Sequence, residues 1–153
     1  MTRPAGDTPL QLGQQLCFAV YSAGHAFNRA YKPLLDPLGL TYPQYLVVLV
    51  LWEQDDQTVG RIGDRLLLDS STLTPLLKRL EAAGHISRAR DPEDERQVRV
   101  RLTPSGRALR ERAAGVPLAM AAATGQSSAE VQRLKAEIIA LRDALNRAAA
   151  GAG

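Results

Sequence analysis

Residues 68–84 read LDSSTLTPLLKRLEAAG, and this stretch decides the fold. Apolar residues recur from Leu73 to Leu80 at spacings of three and four, which is typical of an amphipathic helix. We expect the helix to run from Thr72 to Gly84, with a break at 68–71, Pro75 in its first turn and the glycine as its C-cap. The opposite face carries hydroxyl and basic side chains, which are expected to face outward: Ser70, Ser71, Thr72, Thr74, Lys78 and Arg79.

A second short helix is predicted just before this one. Residues 57–66 read QTVGRIGDRL, and Thr58 is placed to cap the helix at its N-terminus. Two short helices joined by a tight turn, the second with hydroxyl and then basic residues facing outward, form the arrangement that the DNA major groove accepts. A solvated helix also has a polar outer face, so residues 57–84 indicate DNA binding only in combination with other elements.

A charged β-hairpin is predicted after the two helices. Residues 85–90 (HISRAR) and 96–102 (RQVRVRL) alternate with a period of two around DPEDE at 91–95. Thr103 and Pro104 then begin a helix that we expect to continue toward Ala123. A final amphipathic helix is expected from about Ala129 to Ala149.

Two helices are predicted on the N-terminal side. The first follows helical spacing from Leu10 to Leu35, and we expect Pro33 to kink or shorten it. Thr41 precedes the second, whose centre at 45–52 is apolar on every side and is therefore expected to be a central core helix. Residues 1–9 are predicted to be a frayed tail.

The composition excludes several classes of protein. With 153 residues and 45% hydrophobic content, the chain is expected to form one domain, and its net charge of +3 is weak support for a polyanionic partner. No run reaches the roughly 18 apolar residues of a membrane span, and the N-terminus lacks a signal-peptide layout, so we expect a cytoplasmic protein with no membrane contact. One cysteine and two distant histidines predict no disulfide within the chain, no metal site and no cofactor.

The order of these elements resembles the MarR family of winged helix-turn-helix repressors. The resemblance covers about residues 40–106 and is carried by residues 58–63 (TVGRIG), 68–81, 91–96 (DPEDER) and 102–106 (LTPSG). It implies a mainly α fold with a small β-wing, in a single domain over residues 1–153. Residues 41–103 would form the winged helix-turn-helix DNA-binding part, while 10–36 and 104–149 would be dimerisation helices.

The same resemblance assigns roles at the predicted wing. Arg96 takes the family position that enters the minor groove of a pseudo-palindromic double-stranded operator, and Asp94 would orient it. Recognition of the operator by Arg96 would depend mainly on the width of the minor groove and on its A·T content. The apolar stripes of the first and last helices are too extensive for so small a domain to bury alone, which also favours a homodimer.

The only cysteine lies near the start of the first helical pattern. Residues 16–21 read LCFAVY, so Cys17 has apolar neighbours, which predict a buried thiol, and Tyr21 follows one turn later. A buried lone cysteine is often only packing. If it reacts, the thiolate is the attacking form, and phenolic hydroxyls that donate to sulfur stabilise it. Tyr31 is about 21 Å further along the helix, so a site shared by Tyr31 and Cys17 would need two chains.

The first 52 residues are similar to the OhrR type of this family, the organic hydroperoxide resistance regulators. Besides 16–21, the similarity rests on residues 29–35 (RAYKPLL) and 38–45 (LGLTYPQY). It implies that Cys17 senses the peroxide, that Tyr21 and Tyr31 hold it across the dimer, and that Tyr42 shapes the pocket. Two-cysteine members join their subunits by a disulfide, but residues 120–125 (MAAATG) contain no cysteine here. The sulfenic acid would therefore react with a low-molecular-weight thiol, cyclise or overoxidise.

We therefore expect a non-enzymatic repressor that releases its operator when an organic hydroperoxide oxidises Cys17. A first alternative is a MarR-type repressor that binds a phenolic or other small ligand, with Cys17 structural. A thiol peroxidase is disfavoured because the chain has no resolving cysteine and no arginine or histidine in the cysteine motif. A constitutive architectural DNA-binding protein, indifferent to oxidants, is the remaining alternative.

Overall fold

The computed structural model describes residues 9–152, which form seven α-helices and a three-stranded antiparallel sheet of order β1-β3-β2. This mainly α, winged helix-turn-helix architecture confirms the predicted fold class. The predicted N-terminal tail lies outside the described residues except for its last position. The helices are α1 (Leu16–Leu35), α2 (Tyr42–Glu53), α3 (Val59–Leu66), α4 (Ser70–Ala82), α5 (Pro104–Arg112), α6 (Val116–Thr124) and α7 (Ser128–Gly151), and the strands are β1 (Gln57–Thr58), β2 (Ile86–Arg90) and β3 (Val98–Leu102).

Helix α2 lies at the centre of the core, as its apolar composition predicts. Val47 and Val48 are fully buried, and they belong to one cluster with apolar residues of α3, α4 and the sheet. Thr41 caps α2 by a capping box, in which its hydroxyl accepts from the Gln44 N–H and its own N–H donates to Gln44 Oε1. The cap fixes the start of the helix that the surrounding elements pack against.

The recognition-type helix α4 begins two residues earlier than predicted. Asp69 is its N-cap, because the Asp69 carboxylate accepts the Thr72 N–H at 2.8 Å, and Ser70 and Ser71 are therefore helical. Pro75 consequently falls in the second turn rather than the first. Gly84 ends the segment with φ of +83°, a left-handed conformation that glycine adopts without strain.

The wing has the predicted hairpin, with a third strand that the sequence did not reveal. β2 and β3 pair from Ile86↔Leu102 to Arg90↔Val98. Gln57 was expected in a helix, but it lies in β1 opposite Val100, and its buried side chain donates to the Val50 carbonyl at 3.3 Å. A two-residue strand is too short to show the period-two pattern by which strands are recognised.

Two helix boundaries differ from the predictions, and Pro33 does not have the expected shortening effect. α1 begins at Leu16, after a 3-10 turn at Leu12–Gln14, rather than at Leu10. Pro33 neither ends nor shortens α1, because it lies in the last turn and the helix continues to Leu35. The helix expected from Pro104 toward Ala123 is interrupted after Arg112, since Pro117 has no N–H to donate to the Ala113 carbonyl.

One compact unit of the chain ends at Val116, and a second begins at Pro117. In the second unit, a capping box between Ser127 and Glu130 starts α7, whose apolar residues Leu134, Ile138 and Leu145 are exposed.

Among the described residues, no single helix has the length and apolar composition of a membrane span. The segments Leu16–Leu38 and Tyr42–Glu53 meet that test only as a pair, which is bent by 65°.

Two glycines of α3 give a matched test of the helix-turn-helix packing. A Cβ on Gly63 would lie 2.7 Å from the Leu68 carbonyl oxygen, whereas a Cβ on Gly60 would meet nothing within 4 Å. We expect Gly63→Ala to lower the free energy of unfolding by about 1–3 kcal/mol through overpacking. Gly60→Ala should raise it by about 0.5–1 kcal/mol, because alanine favours the helix. Denaturant unfolding measures both, and equal effects would contradict the close approach of α3 to the turn.

Candidate functional site

An open groove of about 800 Å³ lies between α3, the N-terminal half of α4 and the wing. Three of the predicted DNA contacts, Ser70, Thr74 and Arg96, line this groove. The sequence analysis missed five further polar residues that line it: Thr58, Arg61, Asp64, Arg88 and Gln97. The position of Arg61 in the first turn of a capped helix could have identified it, but Arg88 and Gln97 reach the groove only through the folding of the wing.

The hydroxyl groups at the start of α4 are partly engaged within the helix. Ser71 donates to the Asp69 carboxylate at 2.7 Å, and Thr74 donates to the Ser70 carbonyl at 2.7 Å. The Ser71 hydroxyl and the Thr72 N–H hold the pKa of Asp69 below its usual value. The N-terminus of α4 therefore already holds a carboxylate, and the oxygen atoms of Ser71 and Thr74 keep lone pairs that can accept hydrogen bonds.

The basic end of α4 is exposed and separate from the groove. Lys78 and Arg79 are exposed on its later turns, and neither lines the groove. Next to them, Arg88 of β2 pairs with Glu81, with Nη2–Oε1 at 3.1 Å and the Arg88 N–H donating to Oε2 at 2.9 Å. This pair ties the end of α4 to the wing, while Lys78 and Arg79 remain exposed.

Arg96 lies at the tip of the wing and is held by Asp94. Its Nε is 3.0 Å from Asp94 Oδ1 and its Nη2 is 3.2 Å from Oδ2, a two-pronged pair that fixes the plane of the guanidinium. The Arg96 guanidinium lowers the pKa of Asp94, which therefore stays charged. The Arg96 side chain remains 90% exposed, so it is presented to solvent in a fixed direction.

Cys17 is exposed in the described chain, where burial was expected. It is the second residue of α1, and only the C-terminal end of α1 contributes to the core, at Leu35. The neighbouring Leu16, Phe18 and Val20 are exposed as well. The sequence predicts apolar surroundings correctly, but a single chain supplies nothing to cover them.

The three predicted tyrosines lie along α1 and the start of α2. Tyr31 and Tyr42 stack with ring centroids 4.6 Å apart, and Tyr45, which the sequence analysis assigned only to a core helix, is 5.9 Å from Tyr31. Burial, with Tyr42 and Tyr45 nearby, raises the pKa of Tyr31 to about 12. Tyr31 therefore keeps its proton and remains a hydrogen-bond donor at any physiological pH.

Tyr42 connects two open grooves beside α1. One, of about 520 Å³, is also lined by Tyr21 and His25, whose rings meet edge to face at 4.5 Å. The other, of about 320 Å³, is also lined by Tyr31 and Lys32. Cys17 lines neither groove, and about 21 Å of helix separates it from Tyr31. The structure thus brings Tyr31 and Tyr42 together, places Tyr21 in the adjoining groove, and leaves Cys17 apart.

No group of three or more histidine, cysteine, aspartate or glutamate side chains is arranged to hold a metal ion within residues 9–152. The charged side chains around the wing instead form arginine–carboxylate pairs.

Comparisons with known proteins agree with this description. The family model described as "Transcriptional regulator SarA/Rot" matches residues 29–112, more than half of the chain. The chain is 52% identical over 146 residues to the HTH-type transcriptional regulator TtmR of Methylorubrum extorquens (strain PA1), covering 95% of this chain and 75% of that protein. It is 44% identical over 138 residues to the organic hydroperoxide resistance transcriptional regulator of Bacillus subtilis (strain 168), covering 90% and 94%.

A solved structure supports the same relationship. Reduced AbfR bound to DNA, a protein of Staphylococcus epidermidis, superposes with a TM-score of 0.79 at 38% sequence identity. The superposition covers 89% of this chain and 93% of that one. The likeness therefore extends over both the sequence and the arrangement of its elements.

Proposed function

Because the chain belongs to the MarR/SarA family of winged-helix transcriptional regulators and is of the OhrR type, we propose that it is a homodimeric repressor that senses organic hydroperoxides through Cys17. Oxidation of this thiol would release the dimer from a pseudo-palindromic operator. The observation that carries the proposal is the exposure of the chain's single thiol one turn before Tyr21, because a cysteine that served only to fill the core would be buried.

The proposed chemistry requires one sulfur and one hydroperoxide. The Cys17 thiolate attacks an oxygen of the hydroperoxide, so that an S–O bond forms, the O–O bond breaks and the alcohol leaves after taking up a proton. Sulfur gives up two electrons and becomes a sulfenic acid. The chain has no second cysteine, so a low-molecular-weight thiol would then form a mixed disulfide with loss of water. Exposed Leu16, Phe18 and Val20 favour an apolar hydroperoxide over hydrogen peroxide.

A second copy of the chain completes both the proposed peroxide-sensing site and the proposed DNA-binding surface. Exposed apolar residues on α1 and on α7 offer surfaces that a partner would bury. A two-fold dimer would place one α4 in each of two half-sites, as a palindromic operator demands. Tyr31 of one copy would donate to the sulfur of the other, and oxidation would remove this hydrogen bond and shift the spacing of the two α4 helices.

The wild-type protein tests this proposal directly. With one equivalent of cumene hydroperoxide, we expect the fraction of operator released to equal the fraction of Cys17 trapped as sulfenic acid by dimedone, measured by gel shift and mass spectrometry. Hydrogen peroxide serves as the control and should need a larger excess. Dithiothreitol should restore binding if dimedone is omitted. Release without any mass change on Cys17 would contradict the proposal.

One observation favours a second candidate, a repressor that responds to a small ligand. The groove of about 320 Å³ beside Tyr31 and Tyr42 is in the size range of small-molecule sites, and its tyrosine rings suit an aromatic ligand; Lys32 at its edge is paired with Asp36 at 3.2 Å. In that case a phenolic ligand would release the operator reversibly, and dialysis rather than dithiothreitol would restore binding.

A further inference from the structure

Arg99 of β3 connects two parts of the winged unit that are distant in sequence. Its Nε donates to Asp56 Oδ1 at 2.8 Å and its Nη2 to the Asp56 carbonyl at 2.8 Å, while its Nη1 donates to Asp91 Oδ2 at 3.1 Å. Asp56 lies in the turn between α2 and β1, and Asp91 is the first residue after β2. One guanidinium therefore joins the turn after the central core helix to the start of the loop at the tip of the wing.

The turn at Asp56 is a fixed end of this bridge. Asp56 has φ of +57°, in the left-handed region that aspartate tolerates better than most residues. The preceding carboxylate, Asp55 Oδ1, accepts both the Asp56 N–H and the Leu102 N–H at 2.8 Å. The turn is thus hydrogen-bonded to the end of β3 that is next to the core.

The Asp91 end of the bridge holds the loop that carries Arg96. The Asp91 N–H donates to the Gln97 carbonyl at 2.9 Å, and Asp91 Oδ1 accepts the Glu93 N–H at 2.9 Å. The Gln97 N–H in turn donates to the Asp94 carbonyl at 2.9 Å. Residues 91–97 therefore form one hydrogen-bonded loop, and Asp91 is the point where Arg99 holds it.

This bridge differs from an ordinary surface ion pair, which contributes little. All three nitrogens of Arg99 have partners, its side chain is 29% exposed and that of Asp91 is 13% exposed. Arg99 lowers the pKa of Asp56, and the Glu93 N–H followed by Arg99 lowers the pKa of Asp91. Both carboxylates therefore stay charged, and the bridge persists throughout the neutral pH range.

We infer that Arg99 is a positioning residue, which holds the 91–97 loop against the turn at Asp56 so that Arg96 meets the DNA at a set depth. The inference depends on the predicted contact between Arg96 and DNA. Arg99 does not line the DNA-facing groove, and its nitrogens are already bonded to the protein. Its effect on DNA should therefore act through Arg96 rather than through a contact of its own.

A double-mutant cycle tests this inference on operator affinity. Arg99→Met removes the charge and keeps a stem of similar length. We expect it to weaken operator binding about fivefold in the wild-type background and less than about twofold when Arg96 is already alanine, because coupled residues are not additive. A full Arg99→Met effect in the Arg96→Ala background would overturn the inference, as would an unchanged affinity of Arg99→Met alone.

Two further variants complete the cycle. Arg101→Met is the matched control, since Arg101 has the same charge on the same face of β3 but pairs only with Asp56, at 3.1 Å. Any loss of operator affinity that Arg101→Met causes should be equal with and without Arg96.

Asp91→Asn weakens the wing end of the bridge and should show the same dependence on Arg96 as Arg99→Met. It keeps the test decisive if Arg99→Met fails to fold. If Arg96→Ala by itself leaves affinity unchanged, the wing contact fails and the inference fails with it.

Discussion

Cys17→Ser is expected to bind the operator with unchanged affinity and to remain bound at hydroperoxide concentrations that release the wild-type protein completely. Serine has nearly the same shape, so the start of α1 should fold as before. Its hydroxyl does not ionise near neutral pH and does not attack the peroxide bond, whereas a thiolate does. A gel-shift titration of both proteins with cumene hydroperoxide measures the effect. Release of the Cys17→Ser protein at wild-type concentrations would refute redox sensing by this residue.

A relocated thiol provides the matched control. Ser22 is on the same helix, five residues after Cys17, and its hydroxyl bonds only to carbonyls of the preceding turn, those of Phe18 and Ala19. Cys17→Ser combined with Ser22→Cys keeps one thiol per chain but moves it about 7.5 Å along the helix. We expect this protein to be oxidised without releasing DNA. If it responds like the wild type, any thiol on α1 suffices and the position of Cys17 carries no meaning.

Mixed dimers test whether Tyr31 acts across the two chains. In a dimer of one Cys17→Ser chain and one Tyr31→Phe chain, a site shared between copies leaves one intact pair of Cys17 and Tyr31. A site within a single chain would leave none. We expect the mixed dimer to respond to hydroperoxide better than the Tyr31→Phe homodimer does, and an equal response would contradict the shared site.

Arg96→Ala is expected to weaken operator binding at least tenfold at fixed salt, about 1.4 kcal/mol. Arg96 is 90% exposed, yet Asp94 holds its guanidinium by two hydrogen bonds, so little side-chain freedom remains to be lost on binding. An arginine in the minor groove gains most where the groove is narrow. An operator with A·T pairs where the wing meets the minor groove should therefore bind the wild type more tightly than one with G·C pairs there, whereas the variant should bind both almost equally.

Arg142→Ala is the control for the loss of charge. Arg142 is also an exposed arginine paired with a nearby aspartate, Asp143, at 3.0 Å, but it lies on α7 outside the winged helix-turn-helix. We expect its operator affinity to stay within about twofold of the wild type, since Arg142 belongs to neither the helix-turn-helix nor the wing and an exposed charge is screened at physiological salt. An equal loss in both variants would mean that net charge, rather than the wing contact, sets the affinity.

The order of the elements in the winged part was predictable because each carries a local signal. Thr41 and Thr58 mark helix starts, the leucines of α4 mark a buried face, and the arginines of the wing alternate with apolar residues. The failures were also local in origin. β1 is too short to show a period-two pattern. Asp69 moved the start of α4 because its carboxylate accepts one backbone N–H, and Pro117 interrupted the helix after Arg112 because it lacks one N–H.

Some residues of the candidate site could be related to one another from the sequence, and others could not. Arg96 and Asp94 are two residues apart, so their pairing follows from the loop that contains them. Arg61, Arg88 and Gln97 line the same groove, although they come from three separate elements. No spacing along the chain relates these three, so the folded unit was needed to find them.

The sequence by itself determined most of the helices and the β2–β3 hairpin, because their caps and periodicity act over a few residues. It also supplied the single thiol and the tyrosines around which the proposed sensor is built. Only the tertiary structure decided that Cys17 is exposed, that Tyr45 joins Tyr31 and Tyr42, and that Arg99 links Asp56 to Asp91. The exposure of Cys17 and the long-range ion pairs depend on which surfaces the chain brings together, and a local pattern does not say which surfaces will meet.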